Sequence, residues 1–209
     1  MFENIIKNVH NRHPLIHCIT NYVSINDCAN IVLACGGAPI MAEDINEVSQ
    51  ITSICQGLDI NIGMLNDNKL SSMLKAGATA NELGIPVILD PVGAGSSDYR
   101  IKAVQNLMSN VQFGVIRGNV SEIKAIAAKQ GIHNIAAGVY ETMQKNKSAM
   151  GVEAGIADKI TDDNIKEMAD FINKLSQKTG AVIAVTGGID MVADENRVYA
   201  IRNGHKMMS

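Results

Sequence analysis

Residues 86–90, Pro86-Val87-Ile88-Leu89-Asp90, form an almost unbroken aliphatic run that opens on a proline and stops at a carboxylate. A run this short and uniformly apolar reads as a parallel strand covered on both faces, since a strand with one wet face would alternate. Parallel neighbours must be joined by a crossover of a dozen or more residues, usually a helix. The chain supplies such segments repeatedly. Leu70, Met73, Leu74, Gly77 and Ala78 recur at helical spacing before the run, and Gly84 ends that helix. Gly77 inside the pattern is expected to permit close helix–sheet packing.

The alternation continues in both directions. Phe2, Ile5, Ile6 and Val9 share one helical face that Pro14 terminates, and a strand is expected over 15–19. A mostly buried helix over 25–35 closes at Gly36-Gly37, and further strands are expected over 39–41 and 58–63. A strand over 111–116 leads through Asn119 into a helix around Ile123 to Ala128. Ile165, Met168, Ala169, Ile172 and Leu175 mark another helix, with Asp162 and Asp163 favourable at its start, and Gly180 separates it from a strand over 181–185. Short strands over 189–192, 197–201 and 205–208 then follow tight turns, while 130–150 lacks clear periodicity and reads as an insertion. The pattern predicts an α/β layered fold with a mostly parallel sheet, as one domain over residues 1–209.

Composition removes several function classes. Hydrophobic residues are 46% and charged residues 19%, too apolar for a disordered chain. A net charge of −3 leaves no basic excess to neutralise a phosphate backbone, and 3% aromatics without Trp offers little for base stacking, so nucleic acid is not an expected partner. No stretch approaches the apolar length of a membrane helix, and the first residues do not form a secretory signal. Cys18, Cys28, Cys35 and Cys55 match no CxxC metal pattern and read as buried thiols of a reducing cytoplasm.

In open α/β sheets ligands bind beyond the carboxyl ends of the strands. The turns there are Thr20-Asn21, Met41-Ala42-Glu43, Asn61-Ile62-Gly63-Met64, Asp90 through Gly95, Arg117-Gly118-Asn119 and Thr186-Gly187-Gly188. Gly93-Ala94-Gly95-Ser96-Ser97 lacks the third glycine of a dinucleotide fingerprint and the Lys-Ser/Thr of a P-loop, so a structural turn is its first reading. Asp90 is either a strand-end acceptor of backbone N–H groups or a carboxylate near a metal and transferred phosphate. Asn119-Val120-Ser121-Glu122 has the spacing of a capping box, with orientation of hydrated Mg²⁺ by Glu122 as the alternative. Arg117 is a surface ion-pair residue or a phosphate clamp, and Thr186 ends a strand or holds phosphate. His17 reads as a satisfied core histidine, and Met41 alone as core.

Taken in order, His17-Cys18-Ile19-Thr20-Asn21, Pro39-Ile40-Met41-Ala42, Leu89 through Gly95, Ile116-Arg117-Gly118-Asn119 with Glu122, and Val185-Thr186-Gly187 with Asp190 resemble the hydroxyethylthiazole kinase family over nearly all of 1–209. The resemblance implies a three-layer ribokinase-like fold and phosphorylation of 4-methyl-5-(2-hydroxyethyl)thiazole by MgATP in thiamine biosynthesis or salvage. It also implies that Met41 and Asn21-Tyr22-Val23 contact the thiazole alcohol, that Arg117 and Thr186 contact ATP, and that Asp90 and Glu122 serve Mg²⁺. A cytoplasmic homotrimer is implied likewise. The family continues into a Gly-x-Gly-Cys turn and further helices after the strand that reads here Asn203-Gly204-His205-Lys206-Met207-Met208. On that reading the C-terminal helices and the catalytic turn fall outside the chain, which leaves no catalytic residue within it. The rival readings are a thiazole- or nucleotide-binding protein without turnover and a kinase of the same fold acting on another small alcohol.

Overall fold

The computed structural model describes residues 2–129 and 159–203. The expected insertion over 130–150 and the expected strand over 205–208 lie outside the described residues. By backbone contacts the chain divides into two compact units, residues 1–90 with 106–112 and residues 91–105 with 113–209.

The first unit begins with α1 (Phe2–Arg12) and β1 (Leu15–Ile19), followed by α2 (Ile25–Ala34), β2 (Ala38–Ile40) and α3 (Val48–Ile54). It continues with β3 (Gly57–Asn61), α4 (Asp67–Glu82) and β4 (Val87–Asp90). Its strands pair β2-β1-β3-β4, every pair parallel, as the apolar runs and intervening helices require. Helices α3 and α4 pack on each other, and α4 lies against β3 and β4. The core here is Ile19, Leu58, Ile60, Leu89 and Met73, all fully buried or within 1% of it. Burial of each such side chain contributes on the order of 1.5–3 kcal/mol.

Helix α5 (Asp98–Asn110) starts in the second unit and ends in the first. The second unit then holds β5 (Val115–Asn119), α6 (Val120–Lys129), α7 (Ile165–Thr179), β6 (Val182–Thr186), β7 (Asp190–Ala193) and β8 (Val198–Ile201). Strands β5 and β6 are parallel, while β7 and β8 add antiparallel hairpin strands. Ile116, Ile123, Phe171, Ile172 and Ile183 are buried between this ladder and its helices. Helix α7 stops at Gly180, whose φ of 70° is left-handed and whose N–H caps the Ser176 carbonyl. The fold is α/β with a mostly parallel sheet flanked by helices, as the alternating pattern predicts.

Five details differ from the sequence reading. Helix α2 has no buried residue, with Ile31 61% and Leu33 56% exposed, so it is not the mostly buried helix expected. Its apolar residues run consecutively rather than along one stripe, so packing on β2 covers few of them. Ile88 is 41% exposed, so β4 is covered completely on one face only. The strand expected at 111–116 is β5 at Val115–Asn119, because Val111 and Phe113 are buried from the preceding connection instead. Gly77 admits Val111 rather than the sheet: a Cβ there would come within 2.5 Å of Val111 Cγ2. Of the cysteines, Cys18 and Cys55 are buried, but Cys28 is half-buried and Cys35 is exposed at the end of α2.

Candidate functional site

Parallel strands place their final residues and following turns along one edge of each ladder, and the candidate residues fall there. In the first unit Asn21 follows β1, Met41 follows β2, Asn61 ends β3 and Asp90 ends β4. In the second, Asn119 ends β5 beside Thr186, which ends β6 in register with it.

The turn after β1 is held by three charged or polar anchors. Lys69, on the first turn of α4, is only 4% exposed and donates from Nζ to the Thr20 carbonyl. Its ammonium sits 2.8 Å from Glu43 Oε2 and 4.5 Å from the centre of the Tyr22 ring. Tyr22 Oη donates to Glu43 Oε1. One buried cation thus ties the turns after β1 and β2 together, the two turns that carry Asn21, Val23 and Met41. Burial pulls the Glu43 carboxyl upward, but hydrogen bonds from Lys69 and Tyr22 and the Lys69 charge outweigh it and hold it below the usual carboxylate range. The same bond to Glu43, with its negative charge, raises the Tyr22 phenol. Met41 and Asn21 are half-buried, and Val23 is 88% exposed.

His17 is a satisfied core histidine. Its Nε2 donates to the Ala42 carbonyl at 2.8 Å, and Nδ1 lies 2.8 Å from the Thr52 hydroxyl. Burial lowers its pKa, opposed by the Ala42 bond and the Glu47 charge. It therefore sits neutral, fixing the backbone next to Met41 to α3. Cys18, beside it, is pushed up to about 12 by burial and by the Asp59 charge, with Cys28 and Cys55 adding to it, and is no nucleophile at neutral pH.

Asn61 and Asp90 belong to one polar chain. Asn61 Nδ2 donates to Asp90 Oδ2 at 2.9 Å, and Asn61 Oδ1 accepts from Asn21 Nδ2 at 3.2 Å. The sequence places Asn61 in one of the strand-end turns without giving it a role, and it does not point to Lys69 at all. Lys69 looks like any helix-surface lysine, and only its burial distinguishes it.

In the second unit the capping box at 119–122 is formed in full. Asn119 Oδ1 accepts from the Glu122 N–H at 2.9 Å, and Glu122 Oε2 accepts from the Asn119 N–H at 2.8 Å. Glu122 Oε1 accepts a third bond, from the Gly93 N–H at 2.9 Å, so this 7%-exposed carboxylate also pins the glycine-rich turn. Gly118 leaves room for it, since a Cβ there would lie 3.0 Å from Oε2. Arg117 is exposed and, by the two-residue period of a strand, shares a face with Asn119 and Thr186. Thr186 is half-buried, and Asp190 Oδ1 closes the following turn on the Gly187 N–H at 2.9 Å.

Among the described residues no three His, Cys, Asp or Glu side chains cluster as a metal cage. Asp90 ends the last strand of the first unit and Glu122 opens α6 in the second, and each is a carboxylate, the ligand type that a hard divalent ion prefers.

Comparison with known proteins identifies the family and the fold. The model of the hydroxyethylthiazole kinase family matches residues 6–209. A hydroxyethylthiazole kinase from Clostridium acetobutylicum is 52% identical over 209 residues, covering 100% of this chain and 71% of that protein. One from Desulfovibrio desulfuricans is 44% identical, covering 100% of this chain and 68% of that protein. The structure of a hydroxyethylthiazole kinase from Pyrococcus horikoshii OT3 superposes with a TM-score of 0.79 at 31% identity, covering 98% of this chain and 68% of that one. A ribokinase-like superfamily protein from Enterococcus faecalis, 8% identical with a TM-score of 0.51 over 91% of this chain and 63% of its own, shares the fold alone.

Proposed function

From the premise that this chain belongs to the hydroxyethylthiazole kinase family, we propose that its first unit binds the thiazole alcohol through Asn21, Val23 and Met41, and its second binds ATP through Arg117 and Thr186. The family's reaction is ATP-dependent phosphorylation of the thiazole alcohol in thiamine salvage, and it calls for a divalent cation. We assign that cation as Mg²⁺, served by Asp90 and Glu122. The observation that carries the reading is the position of these residues toward the carboxyl ends of parallel strands or in the first turn beyond, where Lys69 anchors the turn after β1 and Glu122 the start of α6.

Phosphoryl transfer asks for positioning and charge stabilisation rather than covalent catalysis. The Lys69–Glu43–Tyr22 tie fixes the turns that present Asn21 and Met41. The Asn119–Glu122 box orders the start of α6 and, through Gly93, the turn after β4. Arg117 supplies a permanent positive charge for phosphate oxygens, and Thr186 a hydroxyl beside backbone N–H groups. A bound Mg²⁺ supplies neutralisation of the phosphate charge.

The exposed apolar residues of α2, Ile31 and Leu33, together with Val23, support a homotrimer in which a second copy covers them. The four free thiols support a reducing cytoplasm as the compartment. The test is calorimetry on two variants. Met41→Trp overfills the thiazole pocket and is expected to abolish binding of the alcohol while MgATP binds as before. Arg117→Ala is expected to weaken MgATP by about 1.5–3 kcal/mol, the scale of a lost charged hydrogen bond, and to leave the alcohol unaffected. Thiazole binding unchanged in Met41→Trp removes Met41 from the pocket. Sedimentation at micromolar concentration checks the trimer.

A further inference from the structure

The carboxyl ends of β1, β3 and β4, three neighbours in one ladder, carry a single file of polar side chains. Ser24 donates from its backbone N–H and its hydroxyl to Asn21 Oδ1, at 3.0 and 3.1 Å. Asn21 Nδ2 donates to Asn61 Oδ1 at 3.2 Å, and Asn61 Nδ2 donates to Asp90 Oδ2 at 2.9 Å. Gly63 N–H also donates to Asn61 Oδ1, at 2.8 Å.

An amide's oxygen and nitrogen are ordinarily told apart only by their partners. Here two backbone groups settle both amides. The N–H of Ser24 and the N–H of Gly63 can face only oxygen, so each amide nitrogen must point onward along the file. The file therefore has one direction, and it ends on a carboxylate oxygen that must accept. Asn61 is 8% exposed, so water cannot readily replace either of its bonds. Gly63 keeps the space clear: a Cβ there would lie 2.9 Å from Asn61 Oδ1 and 3.1 Å from Asn21 Nδ2.

We propose that Asn61 is a positioning residue for both ligands, orienting Asn21 toward the thiazole alcohol through its oxygen and the Asp90 carboxylate toward the metal–nucleotide through its nitrogen. This rests on the reading of Asn21 and Asp90 given above. No other side chain in the file touches both. Among the described residues the hydrogen-bonded path from Asn21 to Asp90 runs through Asn61, and neither role of Asn61 needs contact with a ligand.

The test measures two affinities in each variant at a temperature well below unfolding: 4-methyl-5-(2-hydroxyethyl)thiazole by calorimetry, and Mn²⁺ with ATP by electron paramagnetic resonance. Asn21→Ala is expected to weaken the alcohol alone, and Asp90→Asn the Mn²⁺–ATP alone. Asn61→Leu, similar in size and without polar atoms, is expected to weaken both by about tenfold or more. The exchange Asn61→Asp with Asp90→Asn is the sharper case. The new carboxylate at position 61 still accepts from Gly63 and Asn21, and the new amide at position 90 donates back to it. The file is whole again, but the charge has moved one strand over. Thermal stability and alcohol affinity are expected to return to within about twofold of the parent, while Mn²⁺–ATP binding stays weak.

A purely structural Asn61 would lower the melting temperature of Asn61→Leu and leave both affinities unchanged, and that result overturns the proposal. So does an exchange variant that folds but does not recover the alcohol. If Asn61→Leu does not fold, the exchange variant decides alone. Mn²⁺–ATP binding left intact by Asp90→Asn alone strikes the reading of Asp90, and the proposal goes with it. An effect of Asp90→Asn without one of Asn61→Leu strikes the proposal only.

Discussion

Removing the acid from the Lys69–Glu43 pair should cost more than removing the base, and removing both should cost less than removing the acid alone. The asymmetry follows from burial. The Lys69 side chain is 4% exposed, whereas that of Glu43 is 36% exposed. Glu43→Gln leaves an ammonium where water does not reach, with the Thr20 carbonyl, the Tyr22 ring and a neutral amide as its partners among the described residues. Breaking a buried pair from one side costs about 3–5 kcal/mol, and the acceptors that remain put this case near 3. Lys69→Met leaves a carboxylate that water can reach, so the main loss is the donor to the Thr20 carbonyl, about 1 kcal/mol. The double variant removes the buried charge altogether and should resemble Lys69→Met. For a chain of this length each kcal/mol moves the melting temperature by about 2–4 °C. The expected falls are then about 6–12 °C for Glu43→Gln and about 2–4 °C for Lys69→Met and for the double. Urea unfolding at one fixed protein concentration checks the order. A double variant as unstable as Glu43→Gln, or worse, would refute the argument that the stranded ammonium is the dominant cost.

Three further outcomes are expected. Stability should rise with pH through the range below about 6.5, the unfolded histidine value, because the buried His17 ring rejects a proton that the unfolded chain accepts; it is complete above that value and lost as pH falls toward the lowered folded value, and His17→Asn should flatten the slope of urea midpoint against pH. Glu122→Gln should lose about 1–3 kcal/mol in urea unfolding, since its one oxygen cannot serve both the Gly93 and Asn119 N–H groups, and its amide would face one of them; an unchanged midpoint would mean the cap is dispensable. Gly77→Ala should destabilise by about 1–3 kcal/mol despite better helix propensity, with Val111→Ala in the same chain restoring part of it; no recovery would place the strain elsewhere.

The elements legible in sequence are those whose apolar period is uninterrupted. β1 over Leu15–Ile19 and α7 over Ile165–Thr179 were readable because one is a compact β-rich run and the other a clean helical stripe ending in glycine. Helices α3 and α5 were not. The seven residues of α3, Val48–Ile54, are mostly β-branched or polar and weak helix formers, held in place by the buried Val48 and Thr52. Helix α5 buries Ala103, Val104 and Leu107, too few and too small to announce a stripe. The capping box was readable because Asn119 and Glu122 stand at fixed local spacing. The third bond of Glu122, to Gly93, joins residues 29 apart in the chain and has no local trace.

The sequence by itself determined the fold class, the family and the turns at which polar residues collect, because hydrophobic period and turn composition are local properties written residue by residue. Tertiary structure alone decided what those residues do to one another. Lys69 reaches Thr20 across 49 positions, and Asn61 reaches Asp90 across 29. Whether a lysine is a solvated charge or a buried tie, and which way an asparagine's amide must face, depends on which groups the strand order brings within 3 Å and on whether water is left beside them.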